Sequence, residues 1–413
     1  MDSTTSTGHR QLNLFSEVLH AFTAERGGQI DNATLYRDVV HRAGIDPDAL
    51  LERVPVGQSG QKANLLTRKI RWIEQDLRQA GIIEHVPGKR GVWRLCEPAG
   101  EELHRLPPNV AVVGFSTNLG VAIIGAAEHV FSRINAPIVL GLSSPPYALA
   151  KARQYGNPPV QEYVDWICRT IEPVVRNLVR GGSIALNIGN DTFVAGRPAR
   201  ELLPERLAIA LHERLGLEKM DTLIWNNPSK PPGPVQWASI RRQQLNVAYE
   251  PVLWFSNDSR AARSDNRRVL QEHTERHLRL IRQGGERRTG VFSDGAYRLH
   301  HGSFGRETPG RIPRNVLTLG HSCSDQREYK RACAARGLPA HGAPMPLELA
   351  SFLVEFLSAP DDLVVDPFGG SLTTAKAAER LGRRWLTTEI MVEYVLGGAH
   401  RFRDAPGFHL AAA

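Results

Sequence analysis

Cysteine is scarce in this sequence, and long apolar segments are absent from it. The 413 residues include four cysteines, and no two of them form a C-x-x-C pair. We therefore predict neither a disulfide framework nor a zinc or other metal site, but reduced thiols of the kind found in the cytoplasm. The N-terminus carries no basic-then-apolar leader, and no run of about 18 apolar residues occurs, so we expect neither export nor a membrane span.

Length and charge narrow the class of protein further. A chain of 413 residues predicts two or three domains with ample core. Its formal net charge of +8 is common in proteins with a polyanionic partner. Residues 256–336 alone hold 17 Lys plus Arg and 9 Asp plus Glu, an excess of eight that equals the net charge of the whole chain. Such a long basic segment predicts contact with phosphates, and a solvated surface insertion is the alternative interpretation.

The first hundred residues have the pattern of a small separate domain. Apolar residues at helical spacing predict three helices, the second with Asn32 as its N-cap and the third ended by Gly81. Two short apolar runs then flank a basic turn at residues 87–90, as in a hairpin. We place the three helices and the two strands at residues 11–25, 32–43, 60–80, 82–86 and 91–95.

Three helices followed by a basic hairpin resemble a winged helix, similar to the N-terminal DNA-binding module of some restriction–modification proteins. The resemblance implies that the basic third helix lies in a major groove and that the hairpin touches the DNA backbone. A winged helix that binds protein and has a solvated basic face is the alternative. The DNA-contacting residues implied here are Lys62, Arg68, Lys69, Arg71, Lys89 and Arg90.

The rest of the chain alternates between strand and helix patterns. Residues 97–108 are charged and contain proline, so we predict a linker before this main body. The alternation favours an α/β fold with a mostly parallel sheet and helices on both faces. Strands are predicted at residues 121–124, 137–142, 183–188, 222–225, 250–255, 362–366 and 385–389. Helices are predicted at residues 126–134, 161–180, 200–215, 346–357 and 375–381.

The second of these strands runs into Ser144, two prolines and Tyr147. Consecutive prolines remove two backbone donors and fix two φ angles, which predicts a stiff loop with outward carbonyl groups. Such a loop accepts hydrogen bonds from an amino group, and the ring of Tyr147 offers a flat surface on which a base can stack. An ordinary proline-rich turn is the alternative interpretation of the loop.

A glycine-rich turn near the C-terminus predicts a second site. The strand at residues 362–366 ends in Asp366, and Gly369 and Gly370 follow it before a helix and a strand that ends in Glu389. Glycines let a ligand approach the backbone closely, and an acid at the end of the next strand is where nucleotide-type sites bind ribose hydroxyls. A turn between packed elements is the alternative for the glycines alone.

The two segments together resemble the amino-group DNA methyltransferases that use S-adenosylmethionine. The segments that carry the resemblance are residues 144–147 and 366–371, and it extends over residues 109–402. The proline-rich motif precedes the glycine-rich motif with the basic segment between them, an order that resembles the β class of these enzymes. Residues 341–346 resemble the motif that cradles the methionine end of the cofactor.

The resemblance implies a Rossmann-like methyltransferase fold with a mostly parallel seven-stranded sheet, and it assigns roles to particular residues. The implied catalytic residues are Ser144, Pro145, Pro146 and Tyr147. The implied cofactor-binding residues are Asp366, Phe368, Gly369, Gly370, Ser371, Glu389, His341 and Pro344. The arginines expected to contact DNA from the basic segment are Arg267, Arg268, Arg287, Arg288, Arg311 and Arg314.

Two positions depart from the family pattern. Leu372 stands where a second glycine is common, and we expect it to narrow the space beside the backbone. Ala126 follows Gly125 where an aspartate is common, so an acidic contact to the cofactor is missing there or comes from elsewhere. Residues 373–375 continue the pattern intact.

The implied chemistry is direct methyl transfer to an exocyclic amine. Carbonyl groups of Ser144 and Pro145 and the Ser144 hydroxyl would bind the amino hydrogens, and Tyr147 would stack on the flipped base. No Pro-Cys nucleophile motif occurs, which argues against methylation of a ring carbon. Serine at the first motif position favours N4 of cytosine, and N6 of adenine is the alternative. A winged-helix regulator that binds DNA but no longer transfers methyl is a third hypothesis.

Double-stranded DNA is thus the expected partner. Two protein partners stay open, a cognate restriction endonuclease and a second copy of the chain. The expected domain organisation has four parts. These are a winged-helix domain at residues 1–100, a catalytic half at 101–255, a target-recognition region at 256–336 and a cofactor-binding half at 337–413.

Overall fold

The computed structural model describes most of the chain. The described residues are 17–18, 21–22, 29–56, 61–79, 83–95, 103–106, 109–148 and 158–410. In the described residues from 29 to 95, the N-terminal part holds two α-helices and five short strands. These are β1 (Gln29–Asp31), α1 (Asn32–Arg42), β2 (Val54–Val56), β3 (Gln61–Ala63), α2 (Leu65–Gln79), β4 (Ile83–His85) and β5 (Val92–Leu95).

The main body alternates strands and helices, as its sequence predicts. Its first half holds β6 (Ala111–Ser116), β7 (Gly120–Gly125), α3 (Ala127–Phe131), β8 (Ile138–Ser143), α4 (Tyr163–Arg176), β9 (Leu178–Asn187), α5 (Leu203–Glu213), β10 (Glu218–Asn226) and β11 (Tyr249–Ser256). The basic segment holds α6 (Glu275–Arg282), β12 (Gly290–Phe292), β13 (Tyr297–Leu299), β14 (Val316–Thr318) and α7 (Ser324–Ala334). The last part holds α8 (Leu347–Leu357), β15 (Leu363–Asp366), α9 (Thr373–Arg380), β16 (Arg384–Glu389), α10 (Val392–Ala399) and β17 (His409–Leu410).

One ten-stranded sheet organises the main body, in the order β14-β10-β11-β9-β8-β15-β16-β7-β6-β17. Its five parallel pairs include the uninterrupted run from β9 to β7. All seven strands predicted from the sequence are present, and they are the seven consecutive strands from β10 to β7. The expected strand number was too low because β14 at one edge, and β6 and β17 at the other, extend this centre.

Helices cover both faces of the sheet, which confirms the predicted layers. Successive residues of a strand point to opposite faces, so Val364 of β15 packs in one core cluster and Val365 in the other. Helices α8, α9 and α10 supply buried residues to the first cluster, and α3, α4 and α5 supply them to the second. Among the described residues, no helix is long and apolar enough to cross a membrane.

The N-terminal part forms a separate three-stranded sheet in the order β1-β5-β4. The predicted hairpin is confirmed, since β4 and β5 pair antiparallel. The predicted helix at residues 11–25 lies largely outside the described residues. The N-cap of α1 is Asp31 rather than Asn32, because the Asp31 carboxylate accepts bonds from the backbone N–H groups of Ala33 and Thr34.

Three other boundaries differ from the predictions. The helix α2 begins at Leu65 rather than at residue 60, because residues 61–63 pair with β2. The helix α4 ends at Arg176, and the glycines expected to stop it lie inside β9. The segment expected to be a linker is partly packed, since the backbone N–H of His104 donates to the buried carboxylate of Glu393 on α10.

The tight pairing of β7 with β16 generates a prediction about stability. A Cβ added to Gly120 would lie 2.2 Å from the Trp385 carbonyl oxygen and 2.3 Å from its ring. Because backbone cannot yield as a flexible side chain does, Gly120→Ala should lower the free energy of unfolding by about 1–3 kcal/mol or more. Urea denaturation measures it. Gly320→Ala is the matched control, since the nearest atom to its added Cβ is 3.8 Å away, and equal stability of the two variants would contradict the packing described here.

Candidate active site

The carboxyl ends of three neighbouring strands meet at one edge of the sheet. β8 ends at Ser143, β15 at Asp366 and β16 at Glu389, and the three strands are parallel. The proline-rich loop and the glycine-rich turn therefore enclose one cavity of about 230 Å³. The residues that line this cavity are Ser144, Pro145, Pro146, Tyr147, Asp191, Lys230, Glu250, His341, Ala343, Phe368, Gly370, Glu389, Ile390 and Tyr394.

A second, smaller cavity adjoins the first and shares part of its wall. It is lined by Ser144, His341, Ala343, Pro344, Met345, Asp366, Phe368, Gly369, Gly370, Ser371, Thr373 and Thr374. All twelve residues predicted for catalysis and cofactor binding line one cavity or the other. Residues more than 200 positions apart in the sequence are thus brought into one site.

Tyr147 is held at its hydroxyl group by residues from two other strands. The hydroxyl donates to Glu250 Oε2 at 2.8 Å, and Asn187 Nδ2 donates to the hydroxyl oxygen at 2.8 Å. Burial and the nearby Glu250 carboxylate raise the pKa of Tyr147 well above its ordinary value, so the hydroxyl stays protonated as a donor. A Cβ on Gly189 would come within 2.6 Å of the ring, so glycine is required there.

Glu250, Lys230 and Asp191 belong to this cavity, and the sequence analysis missed all three. Lys230 Nζ lies 3.0 Å from Glu250 Oε1 and 3.7 Å from Asp191 Oδ2. The one sequence signal for Glu250 is an acid at the head of a strand that is otherwise apolar. Lys230 and Asp191 lie in loops, where no periodic pattern marks them.

Ser144 has weaker partners than its neighbours. Its hydroxyl lies 3.3 Å from the Tyr147 hydroxyl and 3.5 Å from Asn187 Nδ2, at or near the upper limit of a hydrogen bond. Pro145 and Pro146 follow it and carry no N–H group. The two prolines therefore bring no backbone donor to this wall of the cavity.

Asp366 is engaged in holding the glycine-rich turn. Its carboxylate accepts hydrogen bonds from the Ser143 hydroxyl and, at 3.0 Å, from the Phe368 backbone N–H. Burial raises the pKa of Asp366 to about 6, although these hydrogen bonds lower it. The acid thus ties the end of β15 to the end of β8 and fixes the two walls of the site relative to each other.

Glu389 stands where the sequence predicts an acceptor for ribose hydroxyls. Its Oε2 accepts from the Gly370 N–H at 2.7 Å, and its Oε1 accepts from the Met391 N–H at 2.8 Å. Burial raises the pKa of Glu389 to about 7 against the effect of these bonds, and the Asp366 charge raises it further. Each oxygen keeps a lone pair for a ligand, so the carboxylate is oriented but not saturated.

The glycine-rich turn leaves no room for side chains. A Cβ on Gly369 would lie 2.5 Å from Thr387 Oγ1, and Gly370 has a φ of +51°. Leu372 also has a positive φ, +63°, which accounts for the glycine that is common there. Leu372 was expected to narrow the space beside the backbone, and its Cδ2 lies 2.9 Å from where a Cβ on Gly369 would stand. Its fully buried side chain also packs against Gly398 of α10 and lines neither cavity.

No acidic side chain replaces the aspartate that is common after Gly125. Ala126 is the N-cap of α3 and makes no side-chain cap. The nearest acid along the chain, Glu128, accepts a hydrogen bond from the Thr170 hydroxyl. Neither residue lines the two cavities, so any cofactor contacts come from the other walls.

The basic residues predicted on the N-terminal part are only partly brought together. Arg53, Lys62, Arg68 and Arg71 line one open groove, in which Arg71 donates to the Tyr36 hydroxyl at 2.9 Å. Lys69 lies on α2 outside this groove. In the β4–β5 turn, Lys89 Nζ contacts Gln29 Oε1 at 3.1 Å and Arg90 is exposed.

The predicted arginines of the basic segment fall into two groups. Some are bound within the chain, since Arg268 donates to the carbonyl groups of Arg263 and Ser358, and Arg311 donates to that of Glu272. Arg267 pairs with Asp265 at 2.7 Å and remains largely exposed. The exposed members for which no side-chain partner is described are Arg287, Arg288 and Arg314.

Comparison with known proteins gives consistent matches over the main body. A family profile described as DNA methylase matches residues 138–398. Type II methyltransferase M.PvuII from Proteus hauseri is 34% identical over 291 residues, which are 70% of this chain and 85% of that protein. Type II methyltransferase M1.MboII from Moraxella bovis is 26% identical over 262 residues, 63% of this chain and 87% of that protein.

The solved structures include a similar chain. The PvuII DNA methyltransferase, described as cytosine-N4-specific, superposes with a TM-score of 0.56 at 31% identity. The superposition covers 71% of this chain and 89% of the other. The profile begins at residue 138, so the three-stranded N-terminal sheet lies outside the region that it matches.

Proposed function

This chain belongs to the family of N6 and N4 DNA methylases, and on that premise we propose that it methylates the N4 amino group of cytosine in duplex DNA. As a member of the family, it is a DNA methyltransferase whose methyl donor is S-adenosylmethionine. The observation that carries the proposal is that Ser144, its two prolines and Tyr147 share one cavity with the glycine-rich turn and Glu389. The cytosine-N4 specificity named for the PvuII enzyme, at 31% identity, supports cytosine.

The residues that line the two cavities suit S-adenosylmethionine in their chemistry. Glu389 supplies oriented acceptors for hydroxyl groups, and the glycines at 369 and 370 let a ligand approach the backbone. Phe368, Ile390 and Tyr394 provide apolar walls. We propose that the cofactor-binding residues are Asp366, Phe368, Gly369, Gly370, Ser371, Glu389, His341 and Pro344. Bound there, the cofactor would supply an electrophilic methyl group.

The chain's own part in catalysis is to orient the target amine. The Ser144 hydroxyl and the carbonyl groups of Ser144 and Pro145 accept the amino hydrogens and so aim the nitrogen lone pair. Tyr147 stacks on the flipped base, and its ring is positioned by the hydrogen bonds from its hydroxyl to Glu250 and from Asn187. No side chain forms a covalent bond, so orientation and electrostatics carry the acceleration.

We propose that DNA is held by two further regions. Residues 1–100 would form a winged-helix domain whose basic groove contacts the DNA backbone, and residues 256–336 would read the sequence. The separate N-terminal sheet and the exposed arginines of the basic segment support this division. Residues 101–255 and 337–413 would then be the catalytic and cofactor-binding halves of one methyltransferase domain.

Partners other than DNA are proposed from the names of the similar proteins. Because the similar proteins are named Type II methyltransferases, we propose a cognate restriction endonuclease as the functional partner. A second copy of the chain remains a prediction, and size-exclusion chromatography with light scattering tests it. Since the substrate is genomic DNA, we propose that the protein acts in the cytoplasm.

The cofactor assignment predicts a pH-dependent affinity. Glu389→Gln should weaken S-adenosylmethionine binding by about 1–3 kcal/mol, because a charged acceptor is lost. The carboxylate form accepts the ribose hydroxyls, and its pKa is about 7 in the free protein. Affinity of the parent should therefore fall as the pH is lowered from about 8 to about 6, by at most about tenfold per unit. Calorimetry measures both effects.

Glu389→Gln should lose that part of the pH dependence, since an amide has no proton to exchange. Glu213→Gln is the matched control, because Glu213 is exposed on α5 far from the cavity lining. Unchanged affinity in a folded Glu389→Gln variant would show that the carboxylate does not bind the cofactor.

The catalytic assignment predicts the effect of removing the aromatic ring. Tyr147→Ala should keep cofactor affinity and lose about ten- to a hundredfold in methyl transfer, because base stacking contributes roughly 1–3 kcal/mol. Tyr147→Phe keeps the ring and removes only the hydroxyl that bonds to Glu250 and Asn187, so methyl transfer should fall by less. Labelled cofactor and digestion of the DNA to nucleosides measure the rate and the base that carries the methyl group.

Three outcomes of that experiment would each correct the proposal. Methyl on adenine would favour the N6 alternative, and binding of cofactor and DNA without methyl transfer would favour a regulator. Full activity of Tyr147→Ala would show that the proline-rich loop is an ordinary turn.

The N-terminal assignment predicts a change in salt dependence. Replacing Lys62 and Arg68 by glutamine should weaken DNA binding and lower the slope of log affinity against log salt by about 2, one for each lost phosphate contact. The methylated sequence should stay the same. Arg42→Gln, on α1 outside the groove, is the control. A changed methylation sequence in the double variant would show that this domain reads DNA.

A further inference from the structure

Apart from Lys230, the segment between β10 and β11 has no role in the site as described so far. It runs from Asn227 to Ala248, and it is joined to the catalytic cavity at both ends. Lys230 near its start and Glu250 just after its end both line that cavity and contact each other. We call residues 227–248 the rim loop.

The base of the rim loop is fixed by backbone hydrogen bonds. The Asn227 N–H donates to the Ala248 carbonyl at 2.7 Å, and the Val247 N–H donates to the Gly233 carbonyl at 2.8 Å. Residues 235–240 form a short helical turn above this base. These hydrogen bonds and the helical turn give the rim loop a defined structure next to the cavity.

The tip of the rim loop exposes apolar side chains that the chain leaves uncovered. Leu245 is 86% exposed, Ile240 63% and Val235 59%. Leu245 is the most exposed large apolar residue recorded among the described residues. Glu250 is five positions further along the chain, so the reach of the chain keeps the two Cα atoms within about 18 Å.

The basic residues near these side chains favour a nucleic acid as the binding partner of the rim loop. From residue 222 to residue 249 the sequence contains no aspartate or glutamate, but it contains Lys230, Arg241 and Arg242. Both arginines are exposed beside Ile240. An apolar tip between cationic residues is the arrangement by which proteins insert a side chain between base pairs while they hold the flanking phosphates.

We propose that the rim loop enters duplex DNA at the target base pair, with Leu245 as the wedge that occupies the space vacated by the flipped base and Arg241 and Arg242 on the flanking phosphates. This inference rests on the proposed function, because it assumes that a base leaves the duplex for the Tyr147 cavity. A flipped base leaves a gap in the stack, and an apolar side chain that fills it stabilises the open state.

The test compares two substrates that differ only in how easily the target base leaves the duplex. Both contain the sequence that the parent enzyme methylates, found by sequencing treated DNA, and one has the target base in a mismatch. Leu245→Ala should lower kcat/KM about tenfold or more on the paired duplex and less than about twofold on the mismatched one. Leu245→Met should keep activity on both, because it retains an apolar wedge.

Ile209→Ala, another exposed apolar residue but on α5, should leave both substrates unaffected. Equal loss on the two duplexes, or no loss on either, would overturn the wedge. Normal kinetics combined with altered self-association would show instead that the tip binds protein. If that sequencing finds no methylated base in DNA treated with the parent, the proposed function itself is overturned, and the inference falls with it before either duplex is made.

The arginines give an independent measurement. Replacing Arg241 and Arg242 by glutamine should lower the salt slope of DNA binding by about 2. An unchanged slope would overturn their phosphate contacts.

Discussion

Parallel pairing of β8, β15 and β16 is the constraint on which the site depends. The three strands are short, β8 and β15 are buried throughout and β16 is half-buried, and their parallel pairing brings the three carboxyl ends to the same edge of the sheet. Ser143, Asp366 and Glu389 therefore end side by side although they are far apart in the sequence. The hydrogen bond from Ser143 to Asp366 then joins the two ends directly. The proline-rich loop follows β8 and the glycine-rich turn follows β15, so the pairing of these strands determines where both lie.

The buried acids of this edge hold the glycine-rich turn in place. Asp366 and Glu389 each accept backbone N–H groups of the turn, and burial still raises their pKa values to about 6 and about 7. A folded-state pKa above the unfolded value means that the folded protein holds the proton more tightly. Their contribution to stability is therefore fully present at low pH and is lost as the pH rises through these values. Above these pKa values both acids are charged, so the folded protein without ligand is less stable there. The charged carboxylate is nevertheless the better acceptor for hydroxyl groups.

Most of the central sheet was predictable because the sequence patterns that indicate its strands each lie within a short stretch of the chain. The seven central strands are short apolar runs, and two of them lead into proline or glycine, so pattern alone located both walls of the cavity. The edge strand β14 and the first residues of β9 were missed because their pairing depends on partners distant in the sequence. Glu250 and Lys230 were missed for the same reason, since they are brought together at the cavity by a hydrogen bond between a strand and the loop before it. The misplaced N-cap at Asp31 is different, because Asp31 and Asn32 are both good caps and only geometry selects one.

Strands from early and late parts of the sequence are interleaved in the ten-stranded sheet. β15 and β16, from the end of the chain, lie between β8 and β7, from its first half. Without them, the strands made earlier would form two separate sheets, β14-β10-β11-β9-β8 on one side and β7-β6 on the other. A nascent chain on the ribosome therefore cannot complete its central sheet until β16, which ends at Glu389, has been synthesised. The proline-rich loop is made more than 200 residues earlier, so it has no glycine-rich turn beside it until β15 and β16 join β8 to β7.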